Sequence, residues 1–192
     1  MKILKPNDAA QFIEKGEIIA YPTETVYGIG GNPFCKDIHN KINIIKNRKD
    51  SKNYILLIPN TQWVDKLTEN LSEKDYILMN TFWPGPLTLI FRKNKNLSAL
   101  PGETVALRIS PHETIKKLFT YLNTPIISTS ANISNNKPAK TFEEINLIFS
   151  DKISGILEGK PYNKTPSTIF NTLTKTVIRE GEITKEKISH YI

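Results

Sequence analysis

The stretch that most constrains the fold of this chain runs from residue 18 to residue 48. It opens with four apolar residues, 18–21, whose number and β-branched character are typical of a buried strand. Pro22 ends that strand, and Thr23-Glu24-Thr25 then places three hydrogen-bonding side chains at its carboxyl end. Glycines follow at positions 28, 30 and 31. We expect the backbone there to adopt positive φ angles or to approach a ligand closely.

The second half of this stretch has the spacing of a helix. Ile38, Ile42 and Ile45 fall on one helical face, and Asp37 suits the first turn. The chain then reaches Lys46 and Arg48 just beyond the last turn. A strand, a polar turn, glycines, a helix and two cations in succession predict a binding site for an anionic ligand.

Length and composition limit the class of protein. We expect the 192 residues to form one domain over positions 1–192. The single cysteine, Cys35, excludes an internal disulfide and favours a reducing compartment. No apolar segment approaches the ~18 residues that span a bilayer, and the first residues lack a signal peptide. We therefore expect a cytoplasmic protein with no membrane contact.

The net charge of +7 favours polyanionic partners such as nucleotides or RNA. A composition rich in lysine and asparagine would give the same charge without any such function. Charge alone therefore leaves both interpretations open.

Strand and helix signals alternate through the first two thirds of the chain and strands cluster near its end. Further strands are predicted over residues 54–58, 87–92, 104–109, 125–128, 153–157, 167–171 and 176–179, and further helices near residues 7–15, 63–67, 72–80, 112–122 and 141–149. Within 104–109, Arg108 should face away from the alternating aliphatic side chains. This order of elements favours one α/β domain with a twisted mixed sheet flanked by helices.

Several residues have the pattern of helix caps. Asn7 and Ser72 are expected to cap their helices, and Thr141 with Glu144 has capping-box spacing. The sequence Ser110-Pro111-His112-Glu113 has the same spacing with proline at the first helical position. Phe82-Trp83-Pro84-Gly85-Pro86 cannot continue a helix and should form a rigid turn.

Four polar clusters stand where strands end or helices begin, which is where open α/β sheets bind ligands. They are Thr23/Glu24/Thr25, Lys46/Arg48/Lys52, Ser128/Thr129/Ser130/Asn132, and Ser167/Thr168 with Arg179. Arginine and lysine can hold phosphates, and short hydroxyl and amide side chains can orient a small substrate. Ordinary alternatives exist for two of them: a solvated helix end at Lys46, Arg48 and Lys52, and turn formation at Ser130 and Asn132. Arg108, outside these clusters, could simply face the solvent.

Other chemistries find no support. The glycines at 28, 30 and 31 are not followed by the Gly-Lys-Ser/Thr of a Walker loop. The histidines have no metal-ligand spacing, and neither a nucleophile elbow nor a Ser-His-Asp set is recognisable. From the residues alone, the sequence predicts a cytoplasmic α/β domain with an anion pocket.

Taken together, the motifs resemble the YrdC family, the threonylcarbamoyl-AMP synthases of tRNA modification. The matching segments are YPTETVYGIG (21–30), KNR (46–48), FWPGPLTLIF (82–91), TVALRI (104–109), STSAN (128–132), PST (166–168) and IREG (178–181). They stand in family order over nearly the whole chain, and the paired KxR and SxN signatures fall at Lys46/Arg48 and Ser130/Asn132. The resemblance implies a single-domain YrdC-like fold with a basic concave cleft.

The resemblance also implies an activity. The family condenses L-threonine, bicarbonate or CO2 and ATP into threonylcarbamoyl-AMP and pyrophosphate, a nucleotidyltransferase reaction that uses Mg²⁺ with ATP. Proteins of a tRNA threonylcarbamoyl-transferase complex are the partners expected downstream.

By the same resemblance, residues expected on the ATP side are Lys46, Arg48, Lys52, Thr104, Asn132, Thr141 and Arg179. Those expected to hold threonine or its carbamate are Thr25, Arg108, Ser130 and Ser167, with Arg108 on the α-carboxylate. Lys46, Arg48, Ser130 and Asn132 are the expected catalytic set. The resemblance implies no protein ligands for the metal.

Two departures from the family pattern affect the loop after Arg48. Many relatives carry proline where this chain has Lys49 and Asn53, so we expect a more flexible loop, 49–53, that could act as a lid. Some longer relatives carry histidine where Leu57 stands.

Two other functions compete with the synthase. An RNA-binding module without synthase activity would fit the charge. A carbamoyltransferase domain would need a longer, cysteine-richer chain.

Overall fold

The computed structural model describes residues 1–48, 54–162 and 165–192. Its strands are β1 (Ile3–Leu4), β2 (Ile19–Tyr21), β3 (Gly28–Gly30), β4 (Ile55–Leu57), β5 (Leu87–Arg92), β6 (Thr104–Arg108), β7 (Ile126–Ser130), β8 (Gly155–Leu157), β9 (Thr168–Asn171) and β10 (Thr176–Arg179). Its helices are α1 (Pro6–Glu14), α2 (Ile38–Ile45), α3 (Gln62–Leu67), α4 (Glu73–Phe82), α5 (Glu113–Phe119), α6 (Phe142–Phe149) and α7 (Lys185–Ser189).

The described strands form one mixed sheet in the order β1-β8-β2-β3-β7-β4-β6-β5-β9-β10. Four neighbouring pairs are parallel (β1 with β8, β8 with β2, β4 with β6, β5 with β9), and the other five are antiparallel. β7 lies in the middle, antiparallel to β3 on one side and to β4 on the other. The sheet therefore brings the ends of β3, β4, β6 and β7 together although their sequences lie far apart. The predicted mixed sheet flanked by helices is confirmed.

Apolar side chains cover both faces of the sheet, because neighbours along a strand point to opposite sides. Ile19 and Tyr21 lie in one core with α1 and α5, whereas Ala20 between them lies in the other core. Val105 and Leu107 belong to that second, larger core. The sheet is thus a central layer with helices packed on both sides.

Two of the predicted helix starts are wrong. Helix α1 begins at Pro6 after Lys5, so Asn7 lies inside the first turn, where the fixed φ of proline at the first position sets the start. Helix α5 begins at Glu113, and His112 caps it by accepting a hydrogen bond from the Thr114 backbone N–H at Nδ1. Ser110 is drawn away from the predicted capping box because its hydroxyl donates to a buried carboxylate, Glu24.

Other local predictions are confirmed. Ser72 forms a complete capping box with Asp75 at the start of α4. Thr141 caps α6 by accepting from the Glu144 N–H, although the Glu144 carboxylate binds Lys140 N–H instead of completing the box. The turn after Phe82 contains a cis Trp83–Pro84 peptide bond. In the described part of the chain, no helix combines the length and apolarity needed to cross a membrane.

The glycines at 28 and 30 do not have the positive φ angles that were one of the two expectations; they belong to β3. A side chain at Gly30 would place its Cβ 1.7 Å from the carbonyl oxygen of Ile127 on β7. Close approach of two backbones, and not a positive φ, therefore requires glycine at this position.

Candidate active site

A cavity of about 240 Å³ opens beside the first residues of β3, β4 and β9 and the last residues of β6 and β7. It is lined by Thr23, Thr25, Val26, Tyr27, Gly28, Arg48, Tyr54, Ile55, Arg108, Ser128, Thr129, Ser130, Pro166, Ser167, Ile169 and Arg179. Three arginines lie on this wall, and no carboxylate is among the described residues that line it. The remaining polar groups are mainly hydroxyls. Such a surface is suited to an anion that also carries hydrogen-bonding groups.

Arg108 is held at the cavity edge by a buried carboxylate. Its Nη1 donates to Glu24 Oε1, while Oε2 of the same carboxylate accepts the Ser110 hydroxyl. The arginine is only 3 % exposed, so its predicted direction away from the aliphatic side chains of β6 is confirmed and the solvent-facing alternative is wrong.

One donor of Arg108 has no partner. Its buried Nε lacks a hydrogen bond within the described chain. Burial lowers the pKa of Arg108 to about 10, while Tyr21 raises and Arg179 lowers it. The guanidinium remains charged at neutral pH, with an unsatisfied N–H beside the cavity. Since this Nε is inaccessible, an entering carboxylate would contact the part of the guanidinium that lines the cavity.

The turn after Pro22 fixes the hydroxyl of Thr25. Thr23 Oγ1 donates to the carbonyl of Val26 at 2.7 Å and lies 2.9 Å from Thr25 Oγ1. Because the single Thr23 proton is used, Thr25 must be the donor in that second bond. The lone pairs of the Thr25 hydroxyl therefore remain available on the cavity wall.

Ser167 and Arg179 both line the cavity and are hydrogen-bonded to each other. Arg179 donates from Nε and Nη2 to the Ser167 carbonyl, at 3.1 and 2.8 Å. The fully buried Thr88 on β5 lies 2.9 Å from the Ser167 hydroxyl. Burial lowers the pKa of Arg179, which nevertheless stays charged. These bonds fix the direction of both side chains before any ligand enters.

Lys46 lies behind the cavity and does not line it. Its ammonium group donates to the carbonyls of Ser130 (2.5 Å) and Asn132 (2.8 Å) and to Asn132 Oδ1 (3.0 Å). These bonds use all three of its N–H donors. Burial, followed by the nearby Arg48, lowers its pKa to about 8. At 3 % exposure Lys46 is not a solvated helix end, so that alternative is wrong.

The side chains of Ser130 and Asn132 form a small network around this ammonium. The Ser130 hydroxyl donates to Asn132 Oδ1 at 2.6 Å, and Asn132 Nδ2 donates to the Asn136 carbonyl at 2.6 Å. Ser130 lines the cavity, whereas Asn132 lies behind it with Lys46. The KxR and SxN signatures therefore meet in space.

Arg48 reaches the cavity from the end of α2. Asn47 has a left-handed φ of 50°, its N–H donates to the Ile44 carbonyl, and the Arg48 N–H donates to the Asn43 carbonyl. This is a Schellman motif with asparagine in the left-handed position. The Arg48 guanidinium lies over the ring of Tyr54, 5.0 Å from its centroid.

Two expected nucleotide-side residues lie elsewhere, and a third cannot be placed. Thr104 lines a shallow hollow with His39 and Tyr54, next to the cavity but outside it. Thr141 lines a separate surface pocket with Tyr27 and Gly159. Lys52 and the proposed lid, residues 49–53, lie outside the described residues.

Sequence reasoning missed three residues that support the site, Tyr54, Thr88 and Ser110, and it placed Glu24 in a polar cluster without its partner. Glu24 and Ser110 lie beside recognised motif residues, but only the fold shows that they share a buried ion pair with Arg108. Within the described ranges, no group of His, Cys, Asp and Glu side chains is placed to hold a metal ion.

An arginine-lined cavity at the strand ends of an α/β sheet is the kind of site that suits a small anion. Comparisons with known proteins identify the family. The family model Sua5/YciO/YrdC, described as telomere recombination, matches residues 11–181. The chain therefore belongs to the Sua5/YciO/YrdC family.

Named relatives cover most of the chain. It is 35% identical over 178 residues to a threonylcarbamoyl-AMP synthase of Coxiella burnetii and 33% identical over 181 residues to one of Psychromonas ingrahamii. Each alignment covers 90% of this chain and 95% of the relative.

Solved structures agree on the fold. A P. abyssi Sua5 structure in complex with L-threonine superposes with a TM-score of 0.90 at 31% identity, over 97% of this chain and 57% of the Sua5 chain. E. coli YciO gives a TM-score of 0.84 at 23% identity, over 95% of this chain and 92% of its own. This chain thus spans little more than half of the Sua5 chain.

Proposed function

We propose that this protein is an L-threonylcarbamoyladenylate synthase, a nucleotidyltransferase that supplies the threonylcarbamoyl group for tRNA modification. The observation that carries the proposal is the cavity wall. Its described lining residues include three arginines and several hydroxyl groups but no carboxylate. The names of the aligned relatives and the L-threonine bound by the Sua5 neighbour support it.

The reaction has two steps. The threonine amine attacks the carbon of CO2, which forms an N–C bond, and loses a proton to give a carbamate. A carbamate oxygen then attacks the α-phosphorus of ATP, and the bond to the β-phosphate oxygen breaks to release pyrophosphate. Both steps depend on alignment and charge neutralisation, so arginines and hydroxyls suffice without a covalent nucleophile.

We assign the threonine side of the cavity to Arg108, Thr25, Ser167 and Ser130. Arg108 would receive the α-carboxylate, because its guanidinium lines the cavity and is held in place by Glu24. Thr25 is suited to accept a hydrogen bond, and Ser167 is already oriented by Thr88.

We assign the phosphates to Arg48 and Arg179, which line the same cavity. Lys46 and Asn132 would act from behind the wall by fixing Ser130, because every Lys46 donor is engaged. Direct contact of Lys46 with phosphate would require exchange of one of these bonds. Thr104, Thr141 and Lys52 remain predictions for the more distant parts of ATP.

Magnesium enters this scheme with the substrate. The described cavity wall offers hydroxyls and guanidinium groups but no carboxylate, which is a poor ligand set for Mg²⁺. We propose that Mg²⁺ arrives bound to the ATP phosphates. The labile product would then pass to the threonylcarbamoyl-transferase proteins expected downstream.

The test is pyrophosphate release from ATP in bicarbonate buffer, with and without L-threonine, and rapid mass spectrometry of the nucleotide product. We expect release that depends on threonine and bicarbonate, with the mass of threonylcarbamoyl-AMP. Salt-sensitive RNA binding without such release would instead support the RNA-binding module.

A further inference from the structure

Asn43 hydrogen-bonds both to the backbone of Arg48 and to Tyr54, the residue that packs against the Arg48 side chain. The Asn43 carbonyl accepts the Arg48 backbone N–H at 2.8 Å, as part of the Schellman motif. The Asn43 side-chain Oδ1 accepts the Tyr54 hydroxyl at 2.5 Å. Asn43 thus contacts Arg48 and Tyr54, the residues on either side of 49–53, which lies outside the described residues.

The ring of Tyr54 is a fixed platform for the guanidinium. Tyr54 is 5 % exposed and its ring stacks with the His39 imidazole, at 6.0 Å between centroids and 20° between planes. The guanidinium carbon of Arg48 lies 5.0 Å from the centroid of the Tyr54 ring. Stacking on an aromatic face is a favourable arrangement for arginine and restricts its otherwise large rotamer freedom.

We infer that Tyr54, anchored by Asn43, is a positioning residue that directs Arg48 into the cavity for the phosphates of ATP. The inference rests on the proposed function, because it takes ATP as the ligand of Arg48. Tyr54 acts through Arg48: its ring orients the guanidinium before ATP enters, so less conformational entropy is lost on binding.

Three substitutions separate the ring from its anchor. Tyr54→Leu removes the platform, and we expect kcat/KM for ATP to fall roughly three- to thirtyfold, the range of a partly buried cation–π contact. Tyr54→Phe and Asn43→Ala keep the ring but break the 2.5 Å bond. We expect a smaller loss from each, larger for Tyr54→Phe because the Tyr54 hydroxyl also hydrogen-bonds Arg48, and no further loss when Asn43→Ala is added to Tyr54→Phe. Tyr121→Leu, at an exposed tyrosine away from the cavity lining, is the matched control and should change nothing.

Two readouts distinguish positioning from a merely structural role. The KM for threonine should stay within about twofold in all four variants, since its assigned contacts do not involve Tyr54. ATP binding measured by calorimetry should weaken in Tyr54→Leu, but not further when Arg48→Gln is already present. Equal losses for ATP and threonine, or a full Tyr54→Leu effect in the Arg48→Gln background, would overturn the inference. Tyr54→Phe keeps the test valid if Tyr54→Leu folds poorly.

The outcome for the unchanged protein separates the two proposals. If it binds ATP but makes no threonylcarbamoyl-AMP, the proposed function fails while the calorimetric cycle still decides the role of Tyr54. If it makes the product and Tyr54→Leu has unchanged kcat/KM for ATP, the proposed function stands and the positioning role fails.

Discussion

Arg108 and Glu24 form a buried ion pair between residues 84 positions apart in the chain, at the edge of the candidate active site. Their side chains are only 4 % and 5 % exposed. The carboxylate lies in the turn after β2 and the guanidinium at the end of β6. The pair therefore couples the turn that carries Thr25 to the strand that carries Arg108.

Glu24→Gln should destabilise the fold strongly, because it leaves a buried guanidinium without its counter-charge. Removing one partner of such a pair typically costs about 3–5 kcal/mol. We expect a lower urea midpoint with an unchanged m-value. Glu113→Gln is the control, since Glu113 pairs with Lys116 on the surface with 68 % of its side chain exposed. A loss from Glu24→Gln no larger than that from Glu113→Gln would contradict this account.

Lys46 should make stability rise with pH above pH 8. Its pKa is about 8 in the folded protein and near the ordinary 10.5 when unfolded, so between these values the unfolded state binds more protons. The cost of burying the charge is present below pH 8 and is relieved as Lys46 deprotonates. Urea unfolding at pH 7, 8, 9 and 10 should therefore show unmodified protein gaining stability relative to Lys46→Met. A constant difference across this range would be evidence against a buried, charged Lys46.

Asn132→Ala and Arg48→Ala should both abolish product formation but differ in stability. Asn132 accepts from Lys46 and Ser130 and donates to Asn136, so its removal leaves buried groups unpaired, at roughly 1–3 kcal/mol for each. Arg48 is half-buried at a helix end, and its removal should leave the thermal midpoint nearly unchanged. Thermal scans beside the pyrophosphate assay test both. A stable, inactive Asn132→Ala would show that the network serves the ligand alone.

Gly30→Ala should prevent β3 from pairing closely with β7. The added Cβ would lie 1.7 Å from the Ile127 carbonyl oxygen, so the two strands must separate. We expect a loss of at least ~3 kcal/mol, at the upper end of the cost of overpacking. Gly102→Ala introduces strain of about 1 kcal/mol at an exposed positive φ of 73° and is the comparison. Similar unfolding midpoints for the two variants would show that β3 can shift without cost.

Much of the architecture could be predicted because periodicity and caps are local signals. The alternation along 104–109 gave the direction of Arg108, and Ser72 marked the start of α4. A prediction fails where a side chain bonds to a residue far away in the sequence instead of to its predicted local partner. Ser110 has capping-box spacing, but its hydroxyl donates to Glu24, 86 residues earlier in the chain. The residues near Ser110 in the sequence give no sign of this distant acceptor.

The site was predicted as a set of residues but not as a geometry. The motifs brought Lys46, Ser130 and Asn132 into one group, and these three do meet. The motifs do not show that the lysine, at the end of α2, donates to the backbone carbonyls of Ser130 and Asn132 instead of lining the cavity. The two glycines serve different ends: Gly28 lines the cavity, whereas Gly30 allows the close approach of β3 to β7.

The way the cavity is assembled has a consequence for how the chain responds to its ligand. Its wall draws on several separate stretches of the chain between Thr23 and Arg179, and its three arginines come from three of them. We expect the complete site to form only when the sheet is assembled. A ligand that binds only the native state therefore adds to the free energy of unfolding of the whole sheet instead of stabilising one loop. Saturating ligand should slow hydrogen exchange of the central strands by one common factor, even at amides far from the cavity.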